Sequence, residues 1–88
     1  MLYEVTNEPI KNITIDWSIL SRSKKSTEDP DFKQGIKDLA SNIKRHGLIQ
    51  PIGIIPIKYK QYKLVFGLRR LLACKMSGMK TIKAGTHI

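Results

Sequence analysis

Apolar and polar residues alternate along the first stretch that has a clear secondary-structure period. Ile13, Ile15 and Trp17 are separated by single polar residues, which is the period of a strand with one buried face. A strand is therefore predicted over residues 12–17, with Trp17 in the core. The run at residues 2–5 also has strand character, but it is too short to define a strand.

The next regular pattern has the spacing of a helix. Asp29 is a suitable N-cap, and Pro30 fits the first helical position, where its missing N–H does no harm. Lys44, Arg45 and His46 suit the negative end of the helix dipole, and Gly47 suits a left-handed C-cap. A mid-helix glycine, Gly35, costs roughly 1 kcal/mol relative to Ala. The predicted apolar stripe consists of Phe32, Ile36, Leu39, Ala40 and Ile43.

Two β-prone runs follow, at residues 52–57 and 62–66, and they are predicted to form a hairpin or neighbouring strands. In the second run Tyr62, Leu64 and Phe66 alternate with Lys and Val, which predicts that the three side chains share one face.

The apolar spacing becomes helical again after Gly67 and ends at Ser77-Gly78, and residues 81–84 supply a closing strand. The order strand, helix, strand, strand, helix, strand predicts an α+β fold with a small mixed sheet and two main helices. We expect one domain over residues 1–88, with its core at about residues 12–84.

Composition indicates the kind of partner that this domain would bind. The 88 residues include 16 Lys and Arg against seven Asp and Glu, a net charge of +9, which favours contact with a polyanion, above all nucleic acid. The alternative is an ordinary solvated basic surface. A lone cysteine, Cys74, excludes an internal disulfide and suits the cytoplasm. No secretion signal or long apolar segment is recognisable, so neither export nor membrane insertion is expected.

Candidate chemistry centres on FGLRRLLA, residues 66–73, where a strand passes through Gly67 directly into a helix. Arg69 and Arg70 lie in the first turn, where each cation opposes the helix dipole by roughly 0.3–1 kcal/mol. A bound phosphate would resolve this conflict and would use the uncapped N–H groups. Alternatively, the arginines are exposed helix formers and the glycine marks a turn. The glycine spacing excludes a Walker loop and a dinucleotide fingerprint.

Two blocks of the sequence resemble the N-terminal domain of ParB chromosome and plasmid partition proteins, in the fold group that also contains sulfiredoxin. LASNIKRHGLIQPIGIIP (residues 39–56) is similar to that family's helix ending in HG and the QP-containing strand after it. YKLVFGLRRLLACKMSGMKTIKA (residues 62–84) is similar to its strand, GERR loop and helix. Ser21-Arg22 resembles the arginine-bearing loop before the first helix. The likeness covers residues 12–84.

The resemblance implies a domain that binds CTP and that clamps or spreads along DNA through self-association as a homo-oligomer. It also implies a cytoplasmic location at the nucleoid or a plasmid, and a ParA-type ATPase or another partition protein as partner. The residues that would form the nucleotide site are Gly67, Arg69, Arg70, Ala73, Gln50, Gly47 and Arg22. Arg70 would face the ligand and not the core. The candidates for DNA contact are Lys24, Lys25, Lys44, Arg45, Lys58 and Lys60.

One departure from the family pattern limits what is expected. Leu68 stands where the family has the glutamate of GERR, so neither a role for magnesium nor nucleotide hydrolysis is predicted, and an enzyme is not favoured. Two alternatives stay open. One is a nucleotide-independent DNA-coating or protein-interaction module. The other is a phosphoryl-transfer or nuclease enzyme of the same fold group, which would need acidic residues to hold a metal.

Overall fold

The computed structural model describes residues 3–18, 28–48 and 50–87. Within these residues the chain forms five strands and two α-helices, and a short 3-10 helix, Ile10–Asn12, joins the first two strands. The α+β fold with a mixed sheet and two helices is confirmed. In chain order the elements are β1 (Tyr3–Pro9), β2 (Ile13–Thr14), α1 (Pro30–His46), β3 (Ile52–Lys58), β4 (Gln61–Phe66), α2 (Leu68–Met76) and β5 (Thr81–His87).

The sheet has the strand order β1-β5-β3-β4-β2. The β1–β5 and β3–β4 pairs are antiparallel, and the β5–β3 and β4–β2 pairs are parallel. Its two edge strands, β1 and β2, are joined by only three residues, so the sheet must curl until its edges approach each other. This curling brings Tyr62 on β4 within hydrogen-bond range of Glu8 on β1, although the two strands are not neighbours in the sheet. Burial, followed by the charge and hydrogen bond of the Glu8 carboxylate, raises the pKa of Tyr62.

The core lies between one face of the sheet and the two helices. Ile52, Ile54 and Leu64 from the central strands are fully buried, as are Leu71 and Cys74 from α2. The stripe predicted for α1 packs on the same cluster, with Ile36, Ala40 and Ile43 buried and Phe32 and Leu39 partly buried. This packing fixes both helices on the sheet and so determines where their ends lie.

Both predicted limits of α1 are confirmed. The Asp29 carboxylate accepts a hydrogen bond of 2.8 Å from the Asp31 N–H, as an N-cap does. The helix ends at His46, and the N–H of Gly47 donates to the Ile43 carbonyl at 2.7 Å. Gly47 has φ +78°, which favours glycine, but its ψ of 174° lies outside the left-handed helical region. The position of the C-cap is therefore confirmed, and its predicted left-handed conformation is wrong.

The strand predicted over residues 12–17 is wrong in its length, because β2 contains only Ile13–Thr14. The Asp16 carboxylate accepts hydrogen bonds from the N–H and the hydroxyl of Ser18, at 3.0 and 2.6 Å, and the chain turns there. These bonds, with a smaller contribution from Lys63, lower the pKa of Asp16. Trp17 lies in this turn and is partly buried, so its assignment to the core is also wrong.

The hairpin of β3 and β4 is confirmed, but the predicted face of Phe66 is wrong. Ile54 pairs with Leu64, whereas the preceding Gly53 pairs with Phe66, so Val65 is an extra residue on β4. A bulge of this kind moves the following side chain to the other face of the sheet. The Phe66 ring lies over Gly53 there, where a Cβ would overlap it.

Candidate functional site

The passage from β4 into α2 depends on Gly67. Its φ of +93° lies in the left-handed region, where a side chain is strained. A Cβ on Gly67 would also lie 2.8 Å from Ile52 Cγ2 and 3.1 Å from Ile52 Cα. The structure therefore requires glycine here for its backbone conformation and for close packing on β3, apart from any ligand.

The first turn of α2 presents backbone donors at its open end. The first helical hydrogen bond runs from the Leu71 N–H to the Gly67 carbonyl at 3.0 Å, so the N–H groups of Leu68, Arg69 and Arg70 precede the helical ladder. Gly67 is the N-cap and has no side chain to accept from them, and the first turn contains no acidic residue. Such an end suits an anion, because the N–H groups and the helix dipole both favour negative charge.

Arg70 joins α2 to the segment that precedes β3. Its Nη1 donates to the Pro51 carbonyl at 2.5 Å and lies 3.4 Å from the Gln50 carbonyl. The structure therefore brings Arg70 and Gln50 together, two of the residues that the sequence singled out. A guanidinium carries five N–H donors, so this contact leaves the group able to bind an anion as well. Arg70 is partly buried and has a structural role that the sequence did not predict.

Arg69 points to a different place. Its side chain lies against α1, where a Cβ on Gly35 would be 2.8 Å from Arg69 Nη2. Successive helical residues project about 100° apart, so the two arginines do not share a direction. In this conformation Arg69 lies against α1, and Arg70 contacts the segment before β3. Sequence reasoning missed the role of Gly35, although a glycine inside a helix was a signal of close approach by another group.

The other predicted nucleotide-site residues differ in accessibility. Ala73 is fully buried in the core, so its side chain presents no surface to a ligand. Gly47 is exposed at the end of α1, with open space around its Cβ position. Arg22 lies outside the described residues, as do the DNA-contact candidates Lys24 and Lys25.

The remaining DNA-contact candidates fall into two exposed groups. Lys44 and Arg45 lie in the last turn of α1, and Lys58 and Lys60 lie at the β3–β4 hairpin. The hairpin is at the far end of β3 from Arg70, roughly 20 Å away along a seven-residue strand. The hairpin lysines therefore do not form one continuous patch with Arg70.

A reactive-cysteine site and a metal site find little support in the part of the chain that the structure describes. Cys74 is buried, and this burial raises the pKa of its thiol, which disfavours the reactive thiolate. Across residues 3–18, 28–48 and 50–87, no three His, Cys, Asp or Glu side chains are grouped so that they could hold a metal ion. Neither described helix is long and apolar enough to cross a membrane.

Comparison with known sequences identifies relatives. The sequence model of the ParB N-terminal domain matches residues 3–87. A probable chromosome-partitioning protein ParB from Helicobacter pylori is 42% identical over 52 residues, which are 59% of this chain and 18% of the relative. The chain thus spans less than a fifth of that relative's length in the aligned region.

Comparison with solved structures supports the same fold. C-terminally truncated ParB from Caulobacter crescentus complexed with CTP-gamma-S matches with a TM-score of 0.73 and 23% identity, over 96% of this chain and 44% of that chain. The same protein complexed to the centromeric parS site matches with a TM-score of 0.69 and 21% identity, over 94% and 38%. Sulfiredoxin from Arabidopsis thaliana matches with a TM-score of 0.75 and 20% identity, over 96% of this chain and 84% of that chain. Because the family model covers nearly the whole chain, the chain belongs to the ParB N-terminal domain family.

Proposed function

We propose that this domain associates with DNA and self-assembles in chromosome or plasmid partition, in the cytoplasm, with CTP as the switch. Membership of the ParB N-terminal domain family supports the partition role, and the net charge of +9 supports contact with DNA. The observation that carries the nucleotide part is the N-terminal end of α2, which has no side-chain cap at Gly67 and where Arg70 joins the helix to the segment before β3.

The residues at this end suit a triphosphate. The N–H groups of Leu68, Arg69 and Arg70 would bind phosphate oxygens, and the Arg70 guanidinium would add a charged donor. Because Arg70 already contacts Gln50 and Pro51, a bound phosphate would strengthen the link between α2 and that segment. Arg69 would have to leave α1 to take part.

Three residues enter the proposed site through family likeness. Gly47 and Gln50 would form the neighbouring wall, and Arg22 would reach the nucleotide from the loop before α1. Ala73 is left out of the ligand contacts because it is buried. Leu68 supplies no carboxylate for magnesium, so we propose CTP binding without hydrolysis.

Calorimetric titration with CTP, ATP and GTP tests the nucleotide part, with and without magnesium and short duplex DNA. We expect selective binding of CTP, weakened about tenfold or more in Arg70→Ala, because hydrogen bonds to charged groups contribute about 1.5–3 kcal/mol. Lys37→Ala removes an exposed α1 cation and is the matched control. Absence of binding by all three nucleotides would contradict the CTP switch.

The DNA part is tested by fluorescence anisotropy with a random duplex at several salt concentrations. The plot of log affinity against log salt reports the number of phosphates neutralised. Replacing Lys44 and Arg45 by Gln, or Lys58 and Lys60 by Gln, should each reduce its slope by about two. If neither pair changes the slope, these two groups do not contact DNA.

A nucleotide-independent DNA-coating module is the second candidate. It is favoured by the contacts that both arginines already make within the protein, Arg70 with Pro51 and Arg69 against Gly35. The same experiments separate the two functions, since this module would bind DNA in a salt-sensitive way and would show no heat with any nucleotide. Sedimentation with and without CTP would then show self-association that is independent of nucleotide.

A further inference from the structure

A second feature lies at the opposite end of α2 from Arg70. It is a cavity of about 540 Å³, open on one side, between the 3-10 helix, the end of α2 and the start of β5. Its volume falls within the range of small-molecule sites, roughly 300–1,000 Å³. The apolar lining residues are Pro9, Ile10 and Met79, and the basic ones are Lys11, Lys75 and Lys80.

The surface of this cavity is almost wholly apolar. Ile10 is nearly buried, and Met79 keeps 38% of its surface exposed. The three lysines are exposed, and such side chains contribute apolar stems while their ammonium groups stay in water. The cavity therefore combines an apolar interior with positive charge near its rim.

Backbone hydrogen bonds hold two of these walls in place. The Ile10 N–H donates to the Lys80 carbonyl at 2.9 Å, which joins the 3-10 helix to the start of β5. The Met79 N–H donates to the Cys74 carbonyl at 3.1 Å, which fixes Met79 on the end of α2. Walls held in this way lose little freedom when a ligand binds.

We propose that this cavity binds a small amphipathic acid, a molecule with an aliphatic or aromatic body and one carboxylate. None of the described lining residues is acidic, and the three ammonium groups complement a carboxylate. A bare phosphate or a nucleic-acid backbone would lose its hydration against an apolar surface that offers few partners. The proposal does not depend on the nucleotide site, which uses the other end of α2.

The test is NMR titration of the ¹⁵N-labelled chain with sodium octanoate below its critical micelle concentration. The control is 1-octanol, which has the same number of carbons and no charge. We expect saturable shifts of the amides of Ile10, Met79 and Lys80, with weaker binding of octanol. Saturation with equal affinity for octanol would overturn acid recognition. Shifts spread over the whole chain, or no saturable shift at these amides, would overturn the site.

Two matched pairs of variants test the roles of the lining residues. Met79→Glu should weaken octanoate binding about tenfold or more, because it places a carboxylate at the cavity. The exposed Met76, which does not line the cavity, is the control as Met76→Glu. Lys80→Gln should weaken octanoate binding about threefold, because it removes one solvent-exposed ion pair with the carboxylate, and such pairs contribute little. Lys83→Gln, at an exposed position outside the cavity, is its control.

Thermal melting establishes that each variant is folded. If Met79→Glu is folded and binds octanoate as the unchanged chain does, the proposal is wrong. If Met79→Glu does not fold, the comparison of Lys80→Gln with its control Lys83→Gln tests the proposal instead. Unchanged affinity in Lys80→Gln, or an equal loss in Lys83→Gln, would then overturn the proposed role of the lysine rim.

Discussion

The two ends of α2 are capped in different ways. At the C-terminal end the Gly78 N–H donates to the Lys75 carbonyl at 3.0 Å and the Met79 N–H donates to the Cys74 carbonyl at 3.1 Å. With Gly78 at φ +79°, this is a Schellman motif. At the N-terminal end Gly67 caps the helix without a side chain, and the first N–H groups point out of the ladder.

This difference lies in the partners of the backbone groups at each end. The carbonyls of Ala73, Cys74 and Lys75 accept hydrogen bonds from the backbone that follows α2, so the C-terminal end is capped by the chain itself. At the N-terminal end no described side chain accepts a hydrogen bond from the first N–H groups, so these donors and the helix dipole favour the anion proposed above. Both ends contain a glycine, but only the Cβ position of Gly67 is crowded, since Gly78 has nothing within 4 Å.

The largest expected effect is that of Gly67→Ala. A side chain at φ +93° is strained, and the new methyl group would collide with Ile52 on β3. Together these costs should lower the free energy of unfolding by about 2–4 kcal/mol. Urea denaturation measures the change. A loss below that of Gly78→Ala would show that Ile52 moves aside and that the close packing is unimportant.

Arg70→Ala should have the next largest effect. It removes the hydrogen bonds to Pro51 and Gln50 and should lower the free energy of unfolding by about 1–3 kcal/mol. The stability of the fold is thus expected to depend on Arg70 even without a ligand. Urea denaturation in the absence of nucleotide measures this effect.

Arg69→Ala is the neighbouring control, because Arg69 is exposed and lies against Gly35. It should change the free energy of unfolding by less than about 0.5 kcal/mol. Equal losses in the two variants would mean that the contact of Arg70 with the segment before β3 does not stabilise the fold.

Much of the fold follows from local signals in the sequence. The limits of α1 were predictable because Asp29, Pro30 and Gly47 each have a specific role at a helix end. The edge strand β1 was not predicted, because its apolar residues form a short run and its pairing with β5 is non-local. Val65 carries no sequence signal of a bulge, so the face of Phe66 was predicted wrongly.

The candidate site was predictable only in part. The uncapped end at Gly67 could be read from residue types, since a glycine precedes two arginines without an acid. The different directions of the Arg69 and Arg70 side chains could not be predicted from residue types, because they depend on how α1 and β3 pack around α2. Helix propensity predicts that Gly35 makes α1 less stable, but it does not predict that the missing side chain leaves room for Arg69.

Gly78→Ala provides the matched substitution at the C-terminal end of α2. Its Cβ would meet no atom within 4 Å, so only the backbone strain at φ +79° remains. That strain should cost about 1 kcal/mol in urea denaturation. CTP binding should be unchanged, since the proposed nucleotide site lies at the other end. A loss equal to that of Gly67→Ala would remove the distinction between the two ends.

Ser77→Ala should have a smaller effect than Gly78→Ala, although its hydroxyl joins the two helices. The Ser77 Oγ donates to the Ala73 carbonyl at 2.9 Å and lies 3.3 Å from the Ala40 carbonyl of α1. The Ala73 carbonyl also accepts from the Ser77 N–H at 3.0 Å, and Ala40 lies inside a helical ladder. Neither acceptor is therefore left without a donor, and the loss should be about 0.5–1 kcal/mol.

Urea denaturation with Ser41→Ala, an exposed serine on α1, as the control measures this loss. A cost as large as that of Gly67→Ala would mean that the C-terminal end depends on the side chain of Ser77. The Schellman bonds of Gly78 and Met79 would then not be enough to complete α2. A small cost, with CTP binding unchanged, would show that the backbone hydrogen bonds of Gly78 and Met79 are enough to complete the C-terminal end of α2.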